Sequence, residues 1–439
     1  MVNELMEKEK YTMGDKVKFD HLKEWEKELN KCSTCGYCTY WCPIYQEDPK
    51  EGSATRGKIA ILKDLLAGKM EYTEQTAEIL ERCLMCGTCL EHCTEKVEAP
   101  SAFLQGRRDL AKLRGIKFPY NIVYKYILPR RWLFGNIVKI ASWFQGVFLP
   151  KTEGTLRHLP LYLSALGRGR HIPSIAPKFL RQLVPEKNSP PLGNEVKLRV
   201  GYFMGCMNDF VFPDSGKHII DFLNRNGVEV IVPKEQGCCG APVFLGAGDF
   251  ETAKTMADKN VRVFKDLDYV VCACATGTAT MRDYAKYLAD TPDRKMAYTR
   301  FGQKVKDINE FLVDILKLPA SAYEVAPEFK GRKVTWHDPC HLNRYLGIKD
   351  QPREILKSLK DIDYTEMTRP DWCCGMAGAF SLHYYELSKQ INEKKMDTLA
   401  ETGADIVVTG CPGCEVQLAD NAARREMPVK VMHIMDLLK

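Results

Sequence analysis

The sequence lacks any run of about 18 uninterrupted apolar residues, so no helix is expected to span a bilayer. Its opening stretch, Met1 to Asp20, is polar and mixed in charge, with no apolar h-region and no twin-arginine pair. No export signal is read there. A complete dinucleotide fingerprint is also missing. Gly167-x-Gly169 runs on to Pro173 without the helix and third glycine that such a site needs, and Gly246-x-Gly248 has no third glycine. No flavin or nicotinamide site is therefore expected on this chain. Nothing matches a nucleic-acid fold signature, so no nucleic-acid partner is expected. Together these absences lead to the expectation of a cytoplasmic protein, either free or peripheral on the inner face of the cytoplasmic membrane.

What is present is cysteine. The chain has 439 residues, enough for two to four domains, and 45% of them are hydrophobic, which supports folded cores. Eighteen cysteines without an export signal favour metal ligation over disulfides. Charge is uneven. Arg107 to Lys187 holds 16 Lys/Arg and 3 Asp/Glu, a net of +13, so the remainder of the +6 chain is about −7.

Cys32-x-x-Cys35-x-x-Cys38-x-x-x-Cys42-Pro43 returns as Cys83-x-x-Cys86-x-x-Cys89-x-x-x-Cys93, each cysteine 51 positions after its counterpart. Three closely spaced cysteines on a tight loop reach three corners of a cubane, and the fourth is far enough along to ligate the other cluster. The spacing thus assigns Cys32, Cys35, Cys38 and Cys93 to one 4Fe-4S cluster, and Cys83, Cys86, Cys89 and Cys42 to a second. Gly36 and Gly87 sit where the backbone must turn around a cluster. Structural zinc fits less well, because it favours two CxxC pairs. Thr94 departs from the proline that follows the first run. An amphipathic helix is expected near Phe19 to Leu29. Arg56 to Leu66, ending at Gly68, and Thr73 to Arg82 read as helices, as does a segment finishing at Arg107 to Arg114.

Phe118 to Pro150 mixes aromatics (Tyr124, Tyr126, Trp132, Phe134, Trp143, Phe144, Phe148) with Lys125, Arg130, Arg131 and Lys139. Three readings stand for the basic stretch 107–187: helices packed across domains with a solvated basic face, contact with an anionic membrane surface, or docking on an acidic partner. Pro173, Pro177, Pro185, Pro190 and Pro191 read as a linker.

From Val196 the pattern is strand–helix–strand. Strands are expected at Leu198–Phe203, Val228–Val232, Tyr269–Cys272, Lys333–His337 and Asp405–Thr409. Helices are expected at Ser215–Asn224, Asp249–Phe264, 278–288, 304–317 and Tyr384–Thr402. Cys206, Cys239 and Cys274 correspond to Cys340, Cys374 and Cys411 at offsets of 134, 135 and 137, a second internal duplication. Cysteines just after strand ends suit a site at the carboxyl edge of an α/β sheet. The second copy gathers Cys340, Cys373, Cys374, Cys411 and Cys414, a thiolate density that suits a soft metal centre. A thiol–disulfide role for Cys411 and Cys414 would leave the other three idle. In the first copy Gly277 stands where Cys414 would be, leaving Cys206, Cys238, Cys239 and Cys274, with Cys272 out of register. An iron–sulfur cluster, zinc and an empty thiol site remain alternatives there. His337 and His341 flank Cys340, either to hydrogen-bond a cluster or as packed imidazoles.

These motifs together (the two CxxCxxCxxxC runs, Gly237-Cys238-Cys239-Gly240, His337-Asp338-Pro339-Cys340-His341, Cys373-Cys374-Gly375 and Cys411-Pro412-Gly413-Cys414) resemble the ferredoxin-plus-double-CCG, or cysteine-rich-domain, family. That family includes heterodisulfide reductase catalytic subunits. It also includes the iron–sulfur subunits of glycolate oxidase, of lactate oxidation systems and of anaerobic glycerol-3-phosphate dehydrogenase. The resemblance covers about residues 25–110 and 196–439. It implies that Cys340, Cys373, Cys374, Cys411 and Cys414 hold a noncubane 4Fe-4S cluster. The expected architecture is α+β multidomain: a helical two-cluster ferredoxin domain (1–110), a basic aromatic helical bridge and linker (111–195), a first CCG domain (196–325) and a second (326–439). The leading reading is an electron-transfer subunit between a flavoprotein 2-hydroxy-acid (lactate or glycolate) dehydrogenase and a quinone, membrane cytochrome or redox-protein acceptor. The alternative is a catalytic subunit that reduces a disulfide at the C-terminal cluster. A bare scaffold would leave the cysteines unexplained.

Overall fold

The computed structural model describes residues 19–149, 151, 156–158, 169–192 and 195–439. The polar lead-in expected before Phe19 lies outside them. The N-terminal third is helical among the described residues. The helix expected near Phe19 is two short pieces, Asp20–Lys23 and Glu26–Asn30, broken at Glu24 and Trp25. Helix α1 is Thr55–Leu66, followed by Gly68 at φ +67°, and α2 is Glu74–Glu81. Thr73 caps α2: its side chain accepts from the Thr76 N–H, and the Thr76 hydroxyl answers at the Thr73 N–H. Helix α3, Ala99–Arg114, starts with Pro100 in its first turn. Leu62, Leu80, Ala102 and Phe103 close the core of this domain.

The bridge carries an 18-residue helix, α4 (Arg131–Phe148). A two-stranded antiparallel ribbon joins Leu156–His158 to His171–Pro173. The proline-rich stretch read as a linker is partly structured: Lys187–Asn188, strand β1, pairs antiparallel with Ile231 and Val230 and edges the first sheet.

Two sheets follow, parallel throughout except for the edge strand β1. In the first, β2 (Leu198–Phe203), β3 (Val228–Ile231), β4 (Tyr269–Cys272) and β5 (Val305–Asp307) lie in the order β1-β3-β2-β4-β5. In the second, β6 (Lys333–His337), β7 (Asp363–Tyr364), β8 (Ile406–Thr409) and β9 (Lys430–His433) lie in the order β9-β8-β6-β7. The duplication extends to register. Val200 pairs with Tyr269 and Val334 with Ile406, which are the same positions shifted by 134 and 137. Helices α5 (Pro213–Arg225), α6 (Phe250–Val263) and α7 (Ala275–Arg282) serve the first sheet, and α8 (Tyr385–Thr402) and α9 (Pro412–Arg424) the second.

One expectation fails locally. The stretch 304–317 is not a continuous helix. A helix at Pro292–Lys304 gives way to β5, because Val305 and Asp307 turn inward and pair with β4. Val200, Val230, Trp336 and Val407 belong to one continuous core, so the two copies pack as a unit. The ferredoxin domain is pressed against both: Met85 and Leu104, with Tyr124 of the bridge, join the core around Phe203 and Phe244, and Ile44 and Leu84 join Cys373, Phe380 and Ile391.

Candidate metal centre

The two N-terminal runs repeat in backbone conformation as well as in sequence. Thr34 and Gly36 have φ +57° and +80°, and Met85 and Gly87 have +55° and +74°. The paired left-handed residues fold each loop back on itself, and each glycine opens the short helix that carries the third cysteine. A cavity of about 30 Å³ is lined by Cys32, Cys35, Cys38 and Cys93, with Cys89 at its wall. Cys35 is exposed. Cys42 faces the other way. Burial pushes its thiol up to about 11, Lys58 opposes that rise, and Cys86 and Cys83 add to it. Burial also raises Cys89, with Cys83, Cys86 and Cys42 as charged neighbours. The fourth cysteine of each run therefore lies with the first three of the other.

In each C-terminal copy the chain leaves the central strand into a cysteine: Cys206 after β2, Cys340 after β6. The double cysteines are held by Gly240 and Gly375, at φ +86° and +83°. A Cβ on Gly375 would come within 2.5 Å of the Ser388 carbonyl oxygen, so a side chain is excluded there. Cys274 and Cys411 stand at the N-caps of α7 and α9, directly beyond β4 and β8. Cys414 occupies the first turn of α9, and Gly277 the same place in α7.

These thiols meet. Cys374 lies 3.4 Å from Cys414. Cys373 shares one buried cluster with Cys86 of the ferredoxin domain, and Cys340 packs against it. Cys274 and Cys411 line the same cavity, and beside them the Ala275 N–H donates to the Gly410 carbonyl at 3.2 Å. One cavity of about 450 Å³ is lined by Cys206, Cys238, Cys239 and Cys274 from the first copy, by Cys340, Cys373, Cys374, Cys411 and Cys414 from the second, and by Cys83. Cys272 does not line it. Its buried sulfur turns under the loop, 3.7 Å from the Cys274 carbonyl oxygen and 3.4 Å from where a Cβ on Gly277 would be.

Sharing of protons with neighbouring sulfurs, then burial, raises Cys239, Cys340 and Cys414 far above the ordinary thiol value, while Cys374 and Cys411 are lowered as acceptors. So many sulfurs this close cannot ionise together without a cation among them. This donor set fits a thiolate-bound metal centre.

Buried cations surround it. Arg131 pairs with Asp209 and helps lower Cys238, after the Cys239 hydrogen bond. Arg344 bonds Glu91 at 2.6 Å and Asp371 at 2.5 Å, beside Cys86 and Cys340. Lys395 donates to the Arg369 and Pro370 carbonyls at 2.9 Å, and burial lowers its ammonium to about 7. Lys58 donates to the Gly52 and Ser53 carbonyls.

The histidines are neutral. Burial pulls His337 down to about 3 and His341 to about 4. His341 Nδ1 is 3.5 Å from Cys340 Sγ. A nitrogen of His337 lies within 4.8 Å of the Cys374 and Cys414 sulfurs, and neither of its ring nitrogens has a partner among the described residues. Sequence reasoning missed Lys58, Arg344, Lys395 and the neutral His433 beside Cys411, and placed Arg131 only among the bridge cations. A lysine in register with the apolar face of a helix, as Lys395 four residues after Ile391 and four before Leu399, is the signal that could have found one of them.

Comparison with known proteins agrees with this anatomy. The 4Fe-4S dicluster domain family matches residues 28–97, and the cysteine-rich domain family matches 200–282 and 334–419. The chain is similar to a probable glycolate oxidase iron-sulfur subunit of Bacillus subtilis (strain 168), 30% identical over 426 residues, with 94% of each chain covered. Lactate utilization protein A of Oceanobacillus iheyensis is 34% identical over 241 residues, covering 55% of this chain and 96% of that protein. A fumarate reductase (CoM/CoB) subunit of Methanothermobacter marburgensis is 26% identical over 418 residues, covering 94% of this chain and 72% of that protein.

Proposed function

The chain belongs to the family that joins a 4Fe-4S dicluster ferredoxin domain to two cysteine-rich domains and provides iron–sulfur subunits of oxidoreductases, and from that premise we propose that it relays electrons from a flavoprotein 2-hydroxy-acid dehydrogenase to a quinone or redox-protein acceptor. The flavoprotein would oxidise lactate or glycolate to the 2-oxo acid, releasing two electrons and two protons. The acceptor quinone would take up both and become the quinol. Iron–sulfur clusters on these cysteines would supply one-electron transfer in between.

The observation that carries the reading is the packing of Cys86 and Cys373 in one buried cluster. It makes the sulfurs continuous, from exposed Cys35 at one end to Cys340 and Cys374 at the other. In this reading Cys32, Cys35, Cys38 and Cys93 hold the outer cluster. Cys83, Cys86, Cys89 and Cys42 hold the inner one. Cys340, Cys373, Cys374, Cys411 and Cys414 hold a noncubane cluster. Cys206, Cys238, Cys239 and Cys274 form a further cluster or zinc site. Lys58, Arg344 and Lys395 keep the buried thiolates compensated, and neutral His341 offers Cys340 a hydrogen bond.

The test is steady-state turnover of the reconstituted complex. Cys35→Ser should leave flavin reduction by the hydroxy acid intact and abolish quinone reduction. Unchanged quinone reduction would count against the relay. A second reading, disulfide reduction within this chain, is favoured by the shared cavity, which Cys274 and Cys411 both line. Disulfide reduction by the isolated subunit with an artificial electron donor would put that reading first.

A further inference from the structure

We propose that α4 is a membrane-docking element whose outward face seats in the headgroup layer of an anionic bilayer. The helix is inside-out. At about 100° per residue, Trp132, Trp143, Val147, Ile140, Phe144 and Ile137 fall within one arc of about 140°. They point to solvent, with Trp132 69%, Trp143 68% and Val147 77% exposed. Exposed Asn136 falls within that arc, but the charged residues and Gln145 lie outside it and are bonded to protein. Arg131 pairs with Asp209, Lys139 donates to the Pro177 carbonyl, and Gln145 exchanges hydrogen bonds with Ile175 at 2.7 and 2.8 Å. A helix facing water would have the opposite arrangement. An exposed apolar face of this extent marks an interaction surface.

Charge selects the occupant. Residues 110–152 contain eight Lys/Arg and no Asp/Glu. Exposed Lys117, Lys125 and Arg130 flank the face, and Phe118, Ile122 and Tyr126 extend it. Lys117 is shared with Glu74 at 3.2 Å, while Lys125 and Arg130 have no carboxylate partner among the described residues; tryptophan and tyrosine beside such cations suit the interface of an anionic leaflet. No described helix is long and apolar enough to cross a membrane. The polar side of α4 is tied to the protein, so the helix lies along the surface instead of inserting.

The same stretch borders the thiol cavity. Ile116, Lys117, Tyr120 and Tyr124 line it, and Lys117 and His383 are its exposed edge. The Tyr120 and His383 rings are 4.2 Å apart. Docking would thus bring the cavity edge towards the lipid. This last link rests on the electron-relay reading, because a lipid-borne quinone would arrive there; binding by α4 does not.

The experiment is flotation of the cluster-loaded full chain with phosphatidylglycerol–phosphatidylcholine vesicles and with phosphatidylcholine alone. Expected are binding to the anionic vesicles that weakens as salt rises, and quenching of tryptophan emission by brominated lipid in the unaltered protein. Trp143→Glu and Ile140→Glu should each weaken binding about tenfold or more, the scale set by placing a carboxylate in an apolar layer, with iron content unchanged. No flotation with anionic vesicles would overturn the proposal. So would binding that neither variant alters, or loss of a partner subunit from the complex in Trp143→Glu with flotation unchanged. Iron content and dye-linked activity are read on the same samples, so failure of the relay is distinguishable from failure of docking.

Discussion

The inner cysteines sit beside buried positive charge and the outer ones do not. Lys58 lies inside the protein next to Cys42 and Cys83, whereas Arg56, near Cys38, is exposed and neutralised by Glu51 at 2.7 Å. A buried cation stabilises the more reduced, more negative state of a neighbouring centre. Lys58→Met is therefore expected to lower the midpoint potential of the inner centre and leave the outer one unmoved, as read by EPR-monitored redox titration. Asp307 gives a pH signature. Burial pushes its carboxyl up to about 7, and Asn309 accounts for only one of its oxygens. The folded state holds this proton more tightly than the unfolded chain does. Its stabilisation is complete below about 4 and is lost as pH rises through about 7. Over that window the loss is on the order of 4 kcal/mol. Asp307→Asn should flatten this slope in denaturant titrations at pH 5 and pH 8.

At the scale of elements, the duplication governs what could be read. The central strands β2, β4, β6 and β8 are short apolar runs followed by cysteine, and the sequence announces them. Strand β5 was hidden because Val305-Lys306-Asp307 is too short to show alternation and directly follows a helix. Strand β1 was hidden because Lys187-Asn188 lies among prolines and becomes a strand only by pairing with Val230 and Ile231. The cysteine sets were legible from spacing. Their meeting in one cavity was not, because it depends on how Val200, Trp336 and Val407 pack two sheets into one core. The tight turns at the double cysteines are equally specific. Gly375→Ala places a Cβ against the Ser388 carbonyl at a left-handed φ. It should destabilise the second cysteine-rich domain by about 2 kcal/mol or more, measured as a lowered denaturation midpoint together with iron loss.

At the scale of the whole molecule, the ferredoxin domain is clamped onto the second cysteine-rich domain, and the bridge helix leans on the first. Tyr345 donates its hydroxyl to the Met85 carbonyl at 2.8 Å, and Arg344 reaches Glu91. These contacts hold Cys86 against Cys373.

In the proposed relay the five thiols of the second copy hold a cluster in series with the two ferredoxin clusters. Iron analysis of anaerobically purified protein tests it most directly, comparing the unaltered chain with Cys374→Ser/Cys411→Ser. Expected are about 12 irons per chain falling to about eight, at roughly four per cluster, or about 16 falling to about 12 if the first copy is also filled. About eight irons in the unaltered chain, or a value that the double variant leaves unchanged, would contradict it.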